Sequence, residues 1–381
     1  MRIAIVTETF LPSTDGVVTR LTRAVSYFRR QGHEVLVIAP DLGVREYMGA
    51  RVAGIKPVTF PFYKSRPWTL PSRDVKTILQ DFRPDIVHAA NPISLAASGV
   101  RYAVKLGIPL IASFHTNIPK YLAYYNFDIA KPLVWKYLKD MHNQAELNMV
   151  TSRAMYDLLT EQEIHNIHIL PRGVDVDGLS PDFRSDEIRF ELTDGHPERK
   201  LLLFVGRLAH EKDIHKLLPL MQKRDDIALA IVGDGPVKDE LEKQFSGTHT
   251  VFAGLKKGEE LARAYASADA FVFPSGSETL GLVILEGMAS GLPVLAVKSP
   301  PTLEQITDGV DGLLFDDHDL DSLERAIARL DDIEFRETLR KNARAEAEQY
   351  SWDHASHAML EYYEEAIRRF NQRRAGEQFA V

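Results

Sequence analysis

Nearly the whole chain alternates short apolar runs with stretches of helical spacing, and this alternation constrains the fold more than any single motif. In the first half the strand candidates are 3–6, 35–39, 58–62, 86–89, 110–114, 148–151 and 168–170; in the second they are 201–205, 228–232, 250–253, 270–273, 293–297 and 312–315. Continuous apolar runs of this length suit strands buried on both faces, and helices between them supply the right-handed crossovers of parallel sheets. The expected fold class is α/β, with two doubly wound, Rossmann-like parallel-sheet domains facing a deep interdomain cleft. The stretch 171–186 has two prolines, two glycines and no periodicity, which places the junction there. The domains are then 1–180 and 181–351, with an amphipathic helix over 352–374 packing back on the first. Ligands of open parallel sheets bind at the carboxyl ends of the strands.

The chain has 381 residues, 45% of them apolar, enough for two cores. It has no cysteine, which excludes disulfides and thiolate metal sites. The first residues read as a strand rather than a leader, and no apolar run reaches the roughly 18 residues of a membrane span. A cytoplasmic protein, soluble or peripheral at the inner face of the membrane, is expected. The net charge of −8 argues against nucleic acid as a partner. Residues 1–180 hold 21 Lys and Arg against 16 Asp and Glu, and residues 181–381 the remaining 25 against 38. A basic half is joined to an acidic one.

Three places carry candidate chemistry. After the apolar run 271–273, Pro274-Ser275-Gly276-Ser277 reads as a turn and 281–290 as a helix, so N–H groups around Thr279, Leu280 and Gly281 point at the space above the strand ends, where a phosphate fits. Glu278 stands at the mouth of this cradle and Glu286 within the helix; a carboxylate accepts from two vicinal hydroxyls at once. The alternative is a solvated side chain at each position. Gly206-Arg207-Leu208-Ala209-His210-Glu211-Lys212 follows the first strand of the second half, where Arg207 and Lys212 can converge on one anion or stand as ordinary surface cations. Ser113-Phe114-His115-Thr116 ends a strand, and His115 is there either a ligand contact or a structural histidine.

Phe204-Val205-Gly206-Arg207 with Glu211-Lys212, Val232-Gly233-Asp234-Gly235-Pro236, Tyr265-Ala266-Ser267-Ala268-Asp269, the two carboxylates Glu278 and Glu286, and Gly287 to Val294 together resemble glycosyltransferase family 4. The run Pro274 to Val283 is most similar to the sulfoquinovosyldiacylglycerol synthases and related lipid glycosyltransferases. The resemblance implies a retaining, metal-independent hexosyltransferase of the GT-B architecture, with a nucleotide-sugar as substrate, a uridine diphosphate sugar preferred, and no resident cofactor. It implies that Arg207 and Lys212 hold the donor diphosphate, that Glu286 takes the ribose hydroxyls, that Glu278 faces the transferred sugar, and that the amides near Thr279, Leu280 and Gly281 meet the distal phosphate. His115 is then near the donor sugar, and Gly16 lies in the loop that approaches it. The implied chemistry is front-face substitution, in which the leaving phosphate oxygen deprotonates the incoming hydroxyl.

Two segments depart from the family pattern. Asp15-Gly16 stands where many relatives have two glycines, and Ser299-Pro300-Pro301-Thr302 where many have a Gly-Gly-x-Pro segment. Asp175-Val176-Asp177 has the spacing of a metal-binding pair but falls in the interdomain connection. The pairs His165/His168 and His354/His357 lack supporting carboxylates at metal-site spacing and read as structural or surface residues. The acceptor reading names Asp15 and, above all, aromatic and basic residues interleaved in the basic half: Lys64, Arg66, Trp68, Lys120, Tyr121, Tyr124 and Tyr125, with Lys131, Trp135, Lys136, Tyr137 and Lys139 following. These either face an anionic bilayer or pack as core beneath solvated lysines. A diacylglycerol-type or phosphatidylinositol-type lipid is the leading acceptor and a soluble sugar, sugar phosphate or small metabolite the alternative; a nucleotide-sugar epimerase or a non-catalytic nucleotide-sugar binder stands behind both.

Overall fold

A computed structural model describes residues 1–60, 63–120 and 128–379. The chain divides into two compact units, Met1–Arg172 with Trp352–Val381, and Gly173–Ser351. In the first unit the strands are β1 (Arg2–Thr7), β2 (Glu34–Pro40), β3 (Glu46–Tyr47), β4 (Ala50–Ile55), β5 (Val58–Phe60), β6 (Tyr63–Trp68), β7 (Ile86–Ala90), β8 (Leu110–Phe114), β9 (Leu147–Val150) and β10 (Ile167–Ile169). Eight of them form one sheet in the order β10-β9-β8-β7-β1-β2-β4-β3, parallel except for the β3–β4 pair. The second unit has β11 (Lys200–Val205), β12 (Ile227–Val232), β13 (Thr250–Gly254), β14 (Ala270–Phe273), β15 (Val294–Val297) and β16 (Leu313–Phe315). All pair in parallel, in the order β13-β12-β11-β14-β15-β16.

The continuous apolar runs have the cause expected of them. In β1, Ile3 and Ile5 pack with Leu21, Val25 and Phe28 on one side, while Ala4 and Val6 pack with Leu36, Leu79 and Val100 on the other. In β11, Leu201, Leu203 and Val205 face one core and Leu202 and Phe204 the other. Each fully buried Val, Leu, Ile or Phe among them contributes about 1.5–3 kcal/mol before entropy is set against it.

The structure corrects the sequence reading at two points. The strand beside β2 is β4, whereas the segment expected over 58–62 contributes β5 to a separate antiparallel hairpin with β6. Arg51 and Gly54 interrupt the apolar pattern of β4, yet Val52, Ala53 and Ile55 are buried. The change of unit comes at Arg172/Gly173 rather than after residue 180. Val174, Leu179 and Val176 pack in the core of the second unit, and the Arg344 guanidinium donates to the carbonyls of Val176, Leu179 and Ala289.

The first and last helices of the first unit pack against each other. Helix Gly16–Arg30 is capped by Asp15, whose carboxylate accepts from the Val18 N–H at 3.0 Å and from the Thr9 hydroxyl at 3.2 Å. Two glycines could not supply this cap, so the departure at Asp15-Gly16 has a local reason. The final helix, Trp352–Phe379, buries Ala355, Met359, Tyr363 and Ala366, with the Tyr363 ring 5.5 Å from that of Phe28.

Candidate functional site

In the second unit, the expected residues gather at the carboxyl ends of β11 and β14. The chain leaves β11 through Gly206-Arg207 and turns at once into a 3-10 helix, His210–Lys212. That turn is tied to the loop after β14, because the hydroxyls of Ser275 and Ser277 both donate to the Glu211 carbonyl, at 2.9 and 2.7 Å. The tie brings the Lys212 ammonium onto the Glu278 carboxylate, with side-chain exposures of 17% and 14%. Arg207 pairs with Glu211, which is only 1% exposed and has a second carboxylate oxygen buried without a hydrogen bond. One cation therefore sits on the carboxylate at the cradle mouth, and the other is oriented from beneath.

Helix Leu282–Ala289 starts at Gly281, whose φ of 78° lies in the left-handed region that a glycine enters freely. The helix begins one residue later than the sequence suggests, and its first N–H groups have no intrahelical acceptors. Gln305 donates to the Leu280 carbonyl and so fixes the loop from the side. Thr279 and Leu280 are buried. Glu286 is the fifth residue of the helix and accepts from the Tyr265 hydroxyl at 2.9 Å. Burial pushes the Tyr265 phenol well above its ordinary range, with the adjacent Glu286 charge adding to the rise, so Tyr265 stays a donor.

The loops after β11 and β12 meet backbone to backbone. Gly206 N–H donates to the Val232 carbonyl at 3.0 Å and Leu208 N–H to the Asp234 carbonyl at 2.9 Å. A Cβ at Gly233, whose φ is 147°, would lie 1.9 Å from the Gly206 carbonyl oxygen, so no side chain fits there. The second departure also has a local explanation: Ser299 opens the short helix Pro300–Leu303 and its N–H donates to the Thr302 hydroxyl at 2.9 Å, while both prolines occupy first-turn positions that need no N–H.

In the first unit, His115 follows β8 and is buried, with its Nε2 2.8 Å from the Ser113 hydroxyl. Burial drives its pKa well below the ordinary imidazole value, and Arg20, His88 and His142 push the same way. Gly16 is the first residue of its helix. Glu8, which has no local signature in the sequence, is a half-buried carboxylate after β1 that accepts from the N–H groups of Ile93, Ser94, Leu95 and Ala96 at 2.7–3.3 Å, and so caps helix Leu95–Leu106 from a distant segment. Burial raises its pKa against the pull of those donors.

Of the residues expected at an acceptor surface, Tyr121, Tyr124, Tyr125 and the side chains of Lys64 and Arg66 lie outside the described residues. Trp68 ends β6 and is half-buried, Lys120 is exposed, and Asp15 is the helix cap. Helix Lys131–His142 resolves its own two readings unequally. Trp135 stacks on Phe114 at 6.2 Å as part of the core, whereas Ile129 just before the helix is 95% exposed and Leu133 71%, beside exposed Lys136. The Asp175 carboxylate accepts from the Gly178 N–H at 3.0 Å and closes a turn. Among the described residues no cluster of His, Asp and Glu is disposed to hold a metal, and no helix is long and apolar enough to cross a membrane.

Two parallel-sheet α/β units, the second with paired cations and carboxylates at its strand ends, fit the architecture expected of a glycosyltransferase. The fold is that of the Anabaena Alr3699/HepE crystal structure in complex with UDP and glucose, with a TM-score of 0.77 at 19% identity over 94% of this chain and 98% of that one. Residues 14–177 match the profile described as Glycosyltransferase Family 4, and residues 186–346 that described as Glycosyl transferases group 1. The chain is 38% identical over 347 residues to the sulfoquinovosyl transferase SQD2 of Arabidopsis thaliana, covering 88% of this chain and 68% of that protein. It is 36% identical over 323 residues to a GDP-mannose-dependent alpha-mannosyltransferase of Mycolicibacterium smegmatis, 83% of this chain and 84% of that one. With the alpha-monoglucosyldiacylglycerol synthase of Streptococcus pneumoniae it shares 30% over 340 residues, 84% and 76% of the two chains. The protein belongs to the family 4 glycosyltransferases.

Proposed function

We propose that this enzyme transfers a hexose, with retention, from a nucleoside diphosphate sugar, preferably a UDP-sugar, to a diacylglycerol-type or phosphatidylinositol-type lipid at a membrane surface. The observation that carries the donor half is the junction of Lys212 with Glu278 beside the helix start at Gly281. In this reading Arg207 and Lys212 bind the diphosphate and stabilise it as it leaves, the Gly281 helix start meets the distal phosphate, and Glu286, oriented by Tyr265, accepts from the ribose hydroxyls. Glu278 and His115 are assigned to the transferred sugar. The leaving phosphate oxygen takes the proton of the attacking hydroxyl, so the protein supplies position and charge.

Support for the lipid half comes from the named diacylglycerol synthase among the relatives and from the exposed apolar residues Ile129 and Leu133 set beside Lys136. Apolar side chains inserting at the headgroup level, with each nearby cation adding about 1 kcal/mol on an anionic surface, suffice for peripheral attachment. Flotation with vesicles tests this. The protein should rise with vesicles containing anionic lipid and stay down with zwitterionic ones, and Ile129→Ser/Leu133→Ser should abolish the rise. Equal partition with and without these changes would leave the soluble acceptor as the better reading.

A further inference from the structure

Strands β7 and β8 lie side by side, and the residues just beyond their carboxyl ends are Asn91 and His115. This is the end of a parallel sheet at which ligands bind. Asn91 has a φ of 60°, in the left-handed region that few residues other than glycine enter, asparagine among them. Its backbone N–H donates to the Ser113 carbonyl at 2.8 Å and carries the ladder of the two strands one step further. Its side-chain oxygen accepts from the N–H groups of His115 and Thr116, both at 3.3 Å. Only the oxygen of an amide can accept, so these two bonds fix which way the group faces.

The amide nitrogen is left over. Asn91 is 8% exposed, and among the described residues its side-chain nitrogen has neither a hydrogen-bond partner nor complete burial. The loop that follows is pinned through its polar groups. The Ile93 carbonyl accepts from the Tyr137 hydroxyl at 2.9 Å, the Ser94 hydroxyl donates to the Thr69 carbonyl at 2.6 Å, and the Glu8 carboxylate takes the N–H groups of Ile93 and Ser94. The Asn91 side chain therefore has little freedom to lose when a ligand arrives, and its N–H groups can serve only an acceptor.

We propose that Asn91 is a sugar-binding residue whose amide nitrogen donates to a hydroxyl oxygen of the transferred hexose, beside His115. The sugar as the owner of that oxygen rests on the function proposed above, which assigns His115 to it. The clamp on the His115 and Thr116 N–H groups holds Asn91 and His115 as one unit, so a hexose set against the ring is within reach of the amide. If the clamp were the whole purpose, aspartate would serve as well, because a carboxylate accepts from the same two N–H groups and also tolerates the left-handed turn.

The test is calorimetric titration of the full chain with UDP-glucose and GDP-mannose and then, for whichever binds, with the matching nucleoside diphosphate and the monodeoxy-hexose analogues. Asn91→Asp keeps both backbone bonds and removes the N–H donors; Asn91→Gly keeps the left-handed turn and removes the whole group. Both should bind the sugar nucleotide about tenfold more weakly, the worth of one hydrogen bond, and bind the nucleoside diphosphate as the wild type does. One deoxy analogue should bind the wild type about tenfold more weakly than its parent, yet bind Asn91→Gly as well as the parent does, the coupling expected of two groups in contact. Wild-type affinity for the sugar nucleotide in Asn91→Asp would show that the amide is only a clamp and would overturn the proposal. So would a deoxy penalty that is the same in the wild type and in Asn91→Gly at every hydroxyl. A wild type that binds neither sugar nucleotide would overturn the function proposed above, and the sugar contact with it.

Discussion

Lys212→Ala should lower kcat for glycosyl transfer by about 10²- to 10³-fold, the scale seen when one preorganised charge-stabilising group is removed from a transition state. A cation about 4 Å from a phosphate is worth up to about 4 kcal/mol at an effective dielectric near 20. Part of that is offset by desolvation and by Glu278, with which the ammonium is paired. What remains acts mainly as the diphosphate gains charge on leaving, so the effect falls on kcat more than on donor KM. Glu278→Gln removes the carboxylate that shares the ammonium, and the two sites are in contact. The double variant Lys212→Ala/Glu278→Gln should therefore fall short of the sum of the single losses. Lys223→Ala offers the control, since that exposed lysine pairs with Glu324 away from these loops and its loss should leave turnover unchanged. Steady-state kinetics on these four variants and the wild type decide the matter, and additive losses would show that the pair does not act as a unit.

The second large effect is acid lability of the first unit. Burial depresses His88 to about 3 and His142 to about 4, the latter against a hydrogen bond from its ring to Asn148, and holds His115 well below the ordinary value. These folded-state values lie below the unfolded value of about 6.5, so the unfolded chain takes up protons that the folded chain refuses. Stability from these histidines is complete above about pH 6.5 and is lost as the pH falls below it, by about 1.4 kcal/mol per pH unit for each group. At pH 5 His88 and His142 together remove about 4 kcal/mol, and His115 acts in the same direction, a large part of the stability of an ordinary domain. Glu8 works in the opposite sense, since burial raises its pKa. Urea unfolding followed by circular dichroism at pH 7, 6 and 5 should show the first unit lost early at pH 5, and His142→Gln should reduce the slope. A midpoint independent of pH would contradict the buried neutral state.

Much of this is open to a reader of the sequence, for reasons that particular residues make clear. Runs such as Ile3 to Val6 announce buried strands because both faces of the sheet are covered. Glu278, Glu286, Arg207 and Lys212 stand within turns and helix starts, where local spacing carries the chemistry. What stays hidden depends on contacts between distant segments. Gln305 reaches the Leu280 carbonyl, Tyr265 orients Glu286, and Glu8 caps a helix almost ninety residues on; none of these has a local signature. The buried contacts of Tyr363 with His88 and of His88 with Ser113 need the register of β7 against β8, with Ala90 opposite Ser113, before these residues can be seen as neighbours. β4 escapes notice because its polar and glycine positions break the apolar run that marks the other strands.

The most direct test of the account is mass spectrometry of the products formed when the protein meets UDP- and GDP-hexoses in turn, in the presence of anionic vesicles containing diacylglycerol and phosphatidylinositol. The prediction is a hexosyl lipid that appears with a UDP-hexose, in step with released nucleoside diphosphate, and disappears when the vesicles are omitted. Release of nucleoside diphosphate with a glycosylated soluble compound and no modified lipid would contradict the acceptor, and an untouched donor panel would contradict the assignment of the Lys212–Glu278 site.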